Sequence, residues 1–274
     1  MDNSQLSVKR MIEKLRKNPN VKEKELGNKI SSFNFTRKAF KKGIWDNESV
    51  KARGLFINTE TNEIVNRAYN KFFNVGEVEE TTLKSLKETL AFPVRAYLKY
   101  NGFLGMLGYN EQKDELIFSS KSSIDSIHVK WFKEIFYKHL VMKGICPLLI
   151  KDFLKKQGVS LVFEVCDGVN DEHIIDLEGE RKLYLLDVID RDVKYKDQEF
   201  LRNFVSSFAG FENKQLIRIF NDYISFYNFY KEVEEKDYLM NGKYIEGFVC
   251  KDANNFQIKI KTPYYKKMEE NKIL

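Results

Sequence analysis

Apolar and polar positions along this 274-residue chain follow two rhythms, one near 3.6 residues and one of two. In residues 7–17, Val8, Met11, Ile12 and Leu15 recur at helical spacing, and Asn18-Pro19-Asn20 ends the run. A lysine-rich link follows, then residues 30–35 alternate as a strand. Residues 53–58 and 64–67 predict a hairpin across the polar turn 59–63, and an aromatic-rich loop occupies 71–77. Residues 81–90 are helical in pattern and are stopped by Pro93. Two apolar runs, 94–100 and 103–109, then flank Asn101-Gly102, a pair that predicts a tight two-residue turn. Residues 115–118 return as a further strand into the hydroxyl-rich loop 119–123.

The second half switches rhythm repeatedly. Residues 128–143 form one predicted helix ended by Gly144, and Pro147 opens another ended by Gly158. Residues 160–166 and 181–189 read as strands. A helical block runs from 196 to about 237 with a break at Gly210, and its aromatic stripe reads as packing core. Strands at 243–250 and 256–261, joined by the turn 251–255, close the pattern. The sum is an α+β chain of antiparallel sheets with helical insertions at about 128–157 and 196–237. One domain is expected over residues 1–265, with the N-terminal helix at about 7–17 and a C-terminal tail at 266–274.

Composition narrows the class. Apolar residues make up 43% and aromatic residues 14%, with only 4 prolines, which supports a packed core and argues against disorder. No apolar run is long enough to span a bilayer, and Met1-Asp2-Asn3-Ser4-Gln5 does not read as a secretory signal. A soluble, cytoplasmic protein without a membrane partner is expected. Cys146, Cys166 and Cys250 are far apart and lie in apolar contexts, so buried free thiols are expected. His128, His139 and His173 are equally scattered and suggest neither a zinc site nor a Cys-His pair. A net charge of +6 fits a polyanion partner without demanding one.

The candidate chemistry lies where strand patterning is broken. Lys99 ends an apolar run beside the Asn-Gly pair, and an ammonium that loses hydration gives up its proton more readily. Glu164 is the one charge in residues 161–166, and Glu246 the one charge in 244–250, with Gly247 beside it allowing close approach. Alternation puts Phe256, Ile258 and Ile260 on one face of the last strand and Gln257, Lys259 and Lys261 on the other. Singly, each has an ordinary alternative: a lysine pointing into water, a glutamate paired with an arginine, lysines on a solvated edge. Together they suit nucleotidyl transfer through a lysine. An amine attacks the α-phosphate of a nucleoside triphosphate, further lysines neutralise the phosphates, and carboxylates hold a divalent metal and ribose hydroxyls.

The order Lys99-x-Asn101-Gly102, Phe163-Glu164, Glu246-Gly247-Phe248-Val249 and Lys259-x-Lys261 resembles motifs I, III, IV and V of the covalent nucleotidyltransferases. That superfamily comprises RNA ligases, DNA ligases and mRNA capping enzymes. The resemblance spans about 53–265 and is greatest to the phage-type RNA ligase 1 group, then to the ligase domain of fungal tRNA ligases. Arg53-Gly54, Lys71-Phe72-Phe73-Asn74 and Ser119-Ser120-Lys121-Ser122-Ser123 resemble flanking elements of that group. The resemblance implies an adenylyltransferase fold and an ATP-dependent RNA ligase working through lysyl-AMP and an AMP-capped RNA. Lys99 would be the adenylylated nucleophile, with Asn101 and Gly102 beside the nucleotide. Arg53 and Lys71 would contact its phosphate or ribose, and Glu164 the ribose. Glu246 would serve the metal-assisted step with Mg2+ or Mn2+, Lys259 and Lys261 the phosphates, and Lys121 the active site or RNA end. The implied partners are RNAs with 5′-phosphate and 3′-hydroxyl ends, cleaved tRNA among them, and separate end-healing enzymes. Asn101 departs from the aspartate common in the phage type, as fungal tRNA ligases do. A non-catalytic nucleic-acid-binding protein, a tRNA-splicing-type ligase, a DNA ligase and a capping enzyme stay open as alternatives.

Overall fold

Local patterning survives in most elements of the computed structural model, which describes residues 3–194, 196–236 and 238–273. The chain divides into two compact units. Unit 1 comprises Met1–Lys71, Phe103–Val165 and Lys182–Asn213; unit 2 comprises Phe72–Gly102, Cys166–Arg181 and Lys214–Leu274.

The first segment of unit 1 holds α1 (Asn3–Lys17), β1 (Val21–Glu25), β2 (Ile30–Phe35), α2 (Arg37–Lys42), β3 (Leu55–Asn58) and β4 (Glu63–Arg67). Unit 2 then takes β5 (Phe73–Asn74), a 3-10 turn at Glu79–Thr81, α3 (Leu83–Thr89) and β6 (Val94–Lys99). Next come β7 (Phe103–Asn110), β8 (Glu115–Ser119), α4 (Ile127–Lys143), α5 (Pro147–Gln157) and β9 (Val159–Asp167). They are followed by β10 (Arg181–Asp190), α6 (Glu199–Ala209) and β11 (Glu212–Asn213). The last stretch carries β12 (Leu216–Phe220), α7 (Tyr223–Glu235), β13 (Leu239–Met240), β14 (Lys243–Tyr244), β15 (Gly247–Lys251), β16 (Gln257–Lys261) and α8 (Pro263–Ile273).

Unit 1 contains two sheets, ordered β1-β2-β3-β4 and β11-β10-β9-β7-β8. Against the first, α1 buries Val8, Met11, Ile12 and Leu15 together with Phe33, Leu55, Ile57 and Ile64. Each such side chain contributes about 1.5–3 kcal/mol on leaving water. A larger core joins α4, α5 and α6 to the second sheet through Phe132, Phe136, Phe163, Leu185 and Phe211. Unit 2 is built on the sheet β12-β6-β15-β16-β5, antiparallel except for the β16–β5 pair. Its core comprises Phe220, Phe226, Phe229, Val233, Phe248, Cys250, Ile258 and Ile260. The aromatic stripe around 220–230 is thus packing core in the main. No helix among the described residues is long and apolar enough to cross a membrane.

Five local expectations give way. The Asn101-Gly102 hairpin does not form: β6 pairs with β12 and β15, whereas β7 pairs with β8 and β9. Neither Asn101 nor Gly102 has the positive φ that a primed turn needs. Distant partners outcompete a two-residue turn because each strand gains two full ladders. The link before Ile30 contains β1, whose sequence VKEKE has almost no apolar signal because it is a charged edge strand paired only with β2. The helical block at 196–237 is interrupted by β12, whose Leu-Ile-Arg-Ile-Phe run pairs antiparallel with β6; Asp237 itself lies outside the described residues. Cys146 is exposed at the N-cap of α5, while Cys166 and Cys250 are buried, and all three are free thiols. The stretch from residue 266, expected as a tail, is helical in α8 up to Ile273, with Leu274 outside the described residues.

Candidate active site

In unit 2 the register of three strands decides where the candidate side chains go. Lys99 of β6 pairs with Gly247 of β15, and Gly247 pairs in turn with Lys261 of β16. Two residues along, the row is Tyr97, Val249 and Lys259. Residues two apart share a face, so Lys99, Lys259 and Lys261 lie on one side of the sheet. The other side is apolar: Ala96, Phe248, Cys250, Ile258 and Ile260 are all buried there.

The middle of the first row has to be glycine. Gly247 has φ +148°, and a Cβ built on it would lie 2.0 Å from the carbonyl oxygen of Ile260. No side chain therefore stands between Lys99 and Lys261. The residue just before it, Glu246, is 5% exposed and places Oε1 2.7 Å from Lys99 Nζ. A buried carboxylate needs a charge partner and hydrogen-bond donors, and Glu246 has both. Asn101 Nδ2 donates to Glu246 Oε2 at 3.3 Å and to the Tyr265 hydroxyl at 3.1 Å. The side-chain carbonyl of Asn101, Oδ1, accepts from the Ile175 backbone N–H at 2.8 Å. An aspartate at 101 would set a second carboxylate against Glu246, which gives the asparagine a physical reason. Lys261 Nζ lies 2.8 and 2.7 Å from the two carboxylate oxygens of Glu269 and 5.0 Å from the Tyr265 ring centroid. Lys259 Nζ lies 5.4 Å from the Phe72 ring centroid.

Unit 1 carries the other candidates: Arg53 before β3, Lys71 after β4, Lys121 after β8 and Glu164 in β9. The Gly54 N–H donates to the Lys121 carbonyl, and the Ala68 N–H to the Gly54 carbonyl, tying the three loops together. Lys71 Nζ sits over the Trp45 ring at 4.6 Å, and Lys121 Nζ over Phe35 at 4.9 Å. Burial of its ammonium, with the charges of Arg53 and Lys71 nearby, holds Lys121 below the usual lysine pKa. Tyr69 donates to Asp187 Oδ2 at 2.8 Å. Burial foremost, then Asp187 and Glu164, pushes the phenol well above its usual pKa against the pull of Arg53. Tyr69 is therefore a neutral donor at any ordinary pH.

Lys99, Asn101, Glu246, Lys259 and Lys261 thus gather on one sheet of unit 2, where Gly102 ends the segment. Arg53, Lys71 and Lys121 gather in unit 1, where Glu164 and Arg53 both act on Tyr69. Reading the sequence missed Ile175, Tyr265 and Glu269, which complete the partners of Asn101 and Lys261. No local signal marks them, because their roles arise from long-range contacts. Among the described residues no group of three or more His, Cys, Asp or Glu could hold a metal ion. Both oxygens of Glu246 are engaged, Oε1 by Lys99 and Oε2 by Asn101.

Comparison with known proteins gives the family. The chain is 27% identical to tRNA ligase 1 of Schizosaccharomyces pombe, over 77% of this chain and 30% of that protein. It therefore spans under a third of that relative. In fold it is similar to an archaeal ATP-dependent RNA ligase, with TM-score 0.63 and 13% identity, covering 98% of this chain and 67% of the other. It is also similar to the Naegleria gruberi RNA ligase, solved as a lysine-to-alanine variant with ATP and Mn. There the TM-score is 0.54 and the identity 14%, covering 74% of this chain and 57% of the other. A family model described as RNA ligase matches residues 51–265, which include every candidate residue of both units. The chain belongs to the RNA ligase family.

Proposed function

We propose that this protein is an ATP-dependent RNA ligase that joins 5′-phosphate and 3′-hydroxyl RNA ends. The observation that carries the reading is Lys99, held 2.7 Å from a buried carboxylate on the sheet face it shares with Lys259 and Lys261. Lys99 Nζ, having given up a proton, attacks the α-phosphorus of ATP. A P–N bond forms, and the P–O bond to pyrophosphate breaks. An oxygen of the RNA 5′-phosphate then attacks the same phosphorus, the P–N bond breaks, and AMP-capped RNA results. The RNA 3′-hydroxyl loses its proton and attacks the 5′-phosphate, and AMP leaves.

Each chain residue has a task in this scheme. Glu246 and Asn101 hold the amine in register, since a reacting atom displaced by about 1 Å loses about 100-fold in rate. Lys259 and Lys261 face the triphosphate and offset the charge spreading over it. Arg53 and Lys71 contact the nucleotide phosphate or ribose, Glu164 accepts from ribose hydroxyls, and Lys121 receives the RNA end. A divalent ion, Mg2+ or Mn2+, would be held on the protein side by Glu246. It would supply neutralisation of the departing pyrophosphate. The substrate of this reading is broken tRNA, with ends prepared by a separate healing enzyme; similarity to a tRNA ligase supports the tRNA part of it.

Incubation with α-labelled ATP and a divalent ion tests the reading. A covalent label on the protein that vanishes in Lys99→Ala is expected. Absence of label, or a label that survives Lys99→Ala, overturns it. Labelling by GTP instead favours a capping enzyme, and sealing of nicked DNA in preference to RNA favours a DNA ligase.

A further inference from the structure

Residues 36–45 precede the stretch that matches the RNA ligase family, and the proposed chemistry uses none of them. They read Thr36-Arg37-Lys38-Ala39-Phe40-Lys41-Lys42-Gly43-Ile44-Trp45, four cations and no acid. Helix α2 buries Ala39 and exposes Arg37, Lys38, Phe40, Lys41 and Lys42. A single exposed phenylalanine ordinarily needs no explanation. Phe40, however, is the outer ring of a cluster. It is 57% exposed, its ring stacks on Phe35 with centroids 6.1 Å apart, and Trp45 meets Phe35 edge-on at 5.0 Å. Two further cations lie over these rings, Lys71 over Trp45 and Phe40 and Lys121 over Phe35.

Hydrogen bonds tie the segment that carries the cluster at both ends. Thr36 caps α2 by accepting from the Ala39 N–H at 3.1 Å. The loop beyond Trp45 is tied at Asp46, whose carboxylate accepts from the Glu48 and Ser49 N–H groups and from Asn18 Nδ2. Ring faces take bases and flanking cations take phosphates, a pairing that single-stranded nucleic acid satisfies along one strand. A duplex hides its base faces, and an acidic protein surface would use the cations alone.

We infer that Phe40, with Arg37, Lys38, Lys41 and Lys42, forms a docking platform for a single-stranded stretch of RNA, one base stacking on Phe40 while the adjoining phosphates lie along α2. The choice of RNA over other single strands rests on the ligase reading; the stacking does not. Equilibrium binding of a short fluorescent single-stranded RNA, measured without ATP, tests it independently of adenylylation. Phe40→Ala is expected to weaken binding about tenfold, while Phe40→Trp keeps it within about twofold and neither shifts the melting temperature. Lys41→Gln with Lys42→Gln is expected to lower the slope of log affinity against log salt by about 1.4, about 0.7 for each phosphate no longer neutralised. Unchanged binding by Phe40→Ala, an equal loss in Phe40→Trp, or the same Phe40 dependence with duplex RNA overturns the platform. A missing lysyl label with a clear Phe40 effect would sink the ligase reading alone.

Discussion

The candidate cations of the two units are held differently. In unit 2 two of the three face carboxylates, Lys99 against Glu246 and Lys261 against Glu269, while Lys259 lies over the Phe72 ring. In unit 1 they rest on rings: Lys71 on Trp45 and Lys121 on Phe35. A carboxylate cancels a full charge and fixes the ammonium at hydrogen-bond distance. A ring quadrupole attracts the cation yet cancels none of its charge. Unit 2 is accordingly organised to keep an amine in one place, and unit 1 to seat ammonium groups against aromatic rings.

The sharpest way to break unit 2's side of this contrast is to disturb its frame. Gly247→Ala places a Cβ against the Ile260 carbonyl at a φ that other residues avoid, so β15 and β16 must separate. A loss of more than about 4 kcal/mol in urea unfolding is expected; a loss below about 1 kcal/mol would mean that the row tolerates a side chain. Glu246→Ala comes next. It strands the Lys99 ammonium beside a vacated buried position, for about 3 kcal/mol. Glu246→Gln keeps a hydrogen-bonding side chain and destabilises less. Yet it is expected to slow self-adenylylation about 100-fold, through loss of the charge that registers the amine. Equal rates in Glu246→Gln and the parent would reduce Glu246 to a structural role.

What was readable in the sequence divides along the same line. Lys99, Glu246 and the Lys259/Lys261 pair stand out because a lone charge in an apolar strand breaks period two, and their shared face follows from alternation. Gly247 was legible as a close-approach glycine for the same reason. The turn was not. Asn101-Gly102 carries strong hairpin chemistry, but β6 and β7 each find two other strands, and the Asn101 amide is committed to Glu246, Tyr265 and Ile175. Strand β12 was read as helix because its Leu-Ile-Arg-Ile-Phe run lies between two true helices and only pairing with β6 reveals it. Strand β1 carries charge on nearly every residue and so has no periodic signal. The aromatic cluster of Phe35, Phe40 and Trp45 escaped notice because its three rings come from separate elements.

The smallest effect gives the finest test of the contrast, because it predicts a difference in sign. Lys121 has a lower pKa folded than in an ordinary exposed setting, through burial first and then Arg53 and Lys71. Between its folded and unfolded pKa values the folded protein binds fewer protons, so stability rises with pH across that interval. Below it, the Lys121 charge works against folding. Lys261 faces a carboxylate instead, with Glu269 2.7 Å from its ammonium. At pH 7, Lys121→Met is expected to raise stability and Lys261→Met to lower it, each by about 0.5 kcal/mol. The gain from Lys121→Met should shrink as pH climbs toward 10.5, the ordinary lysine value. Added inorganic phosphate should shrink it too, by shielding the three cations in the parent. Melting curves of both variants, with and without phosphate, decide the matter. If both lysines destabilise on removal, the ring-seated Lys121 is as well accommodated as the carboxylate-paired Lys261, and the contrast between them fails.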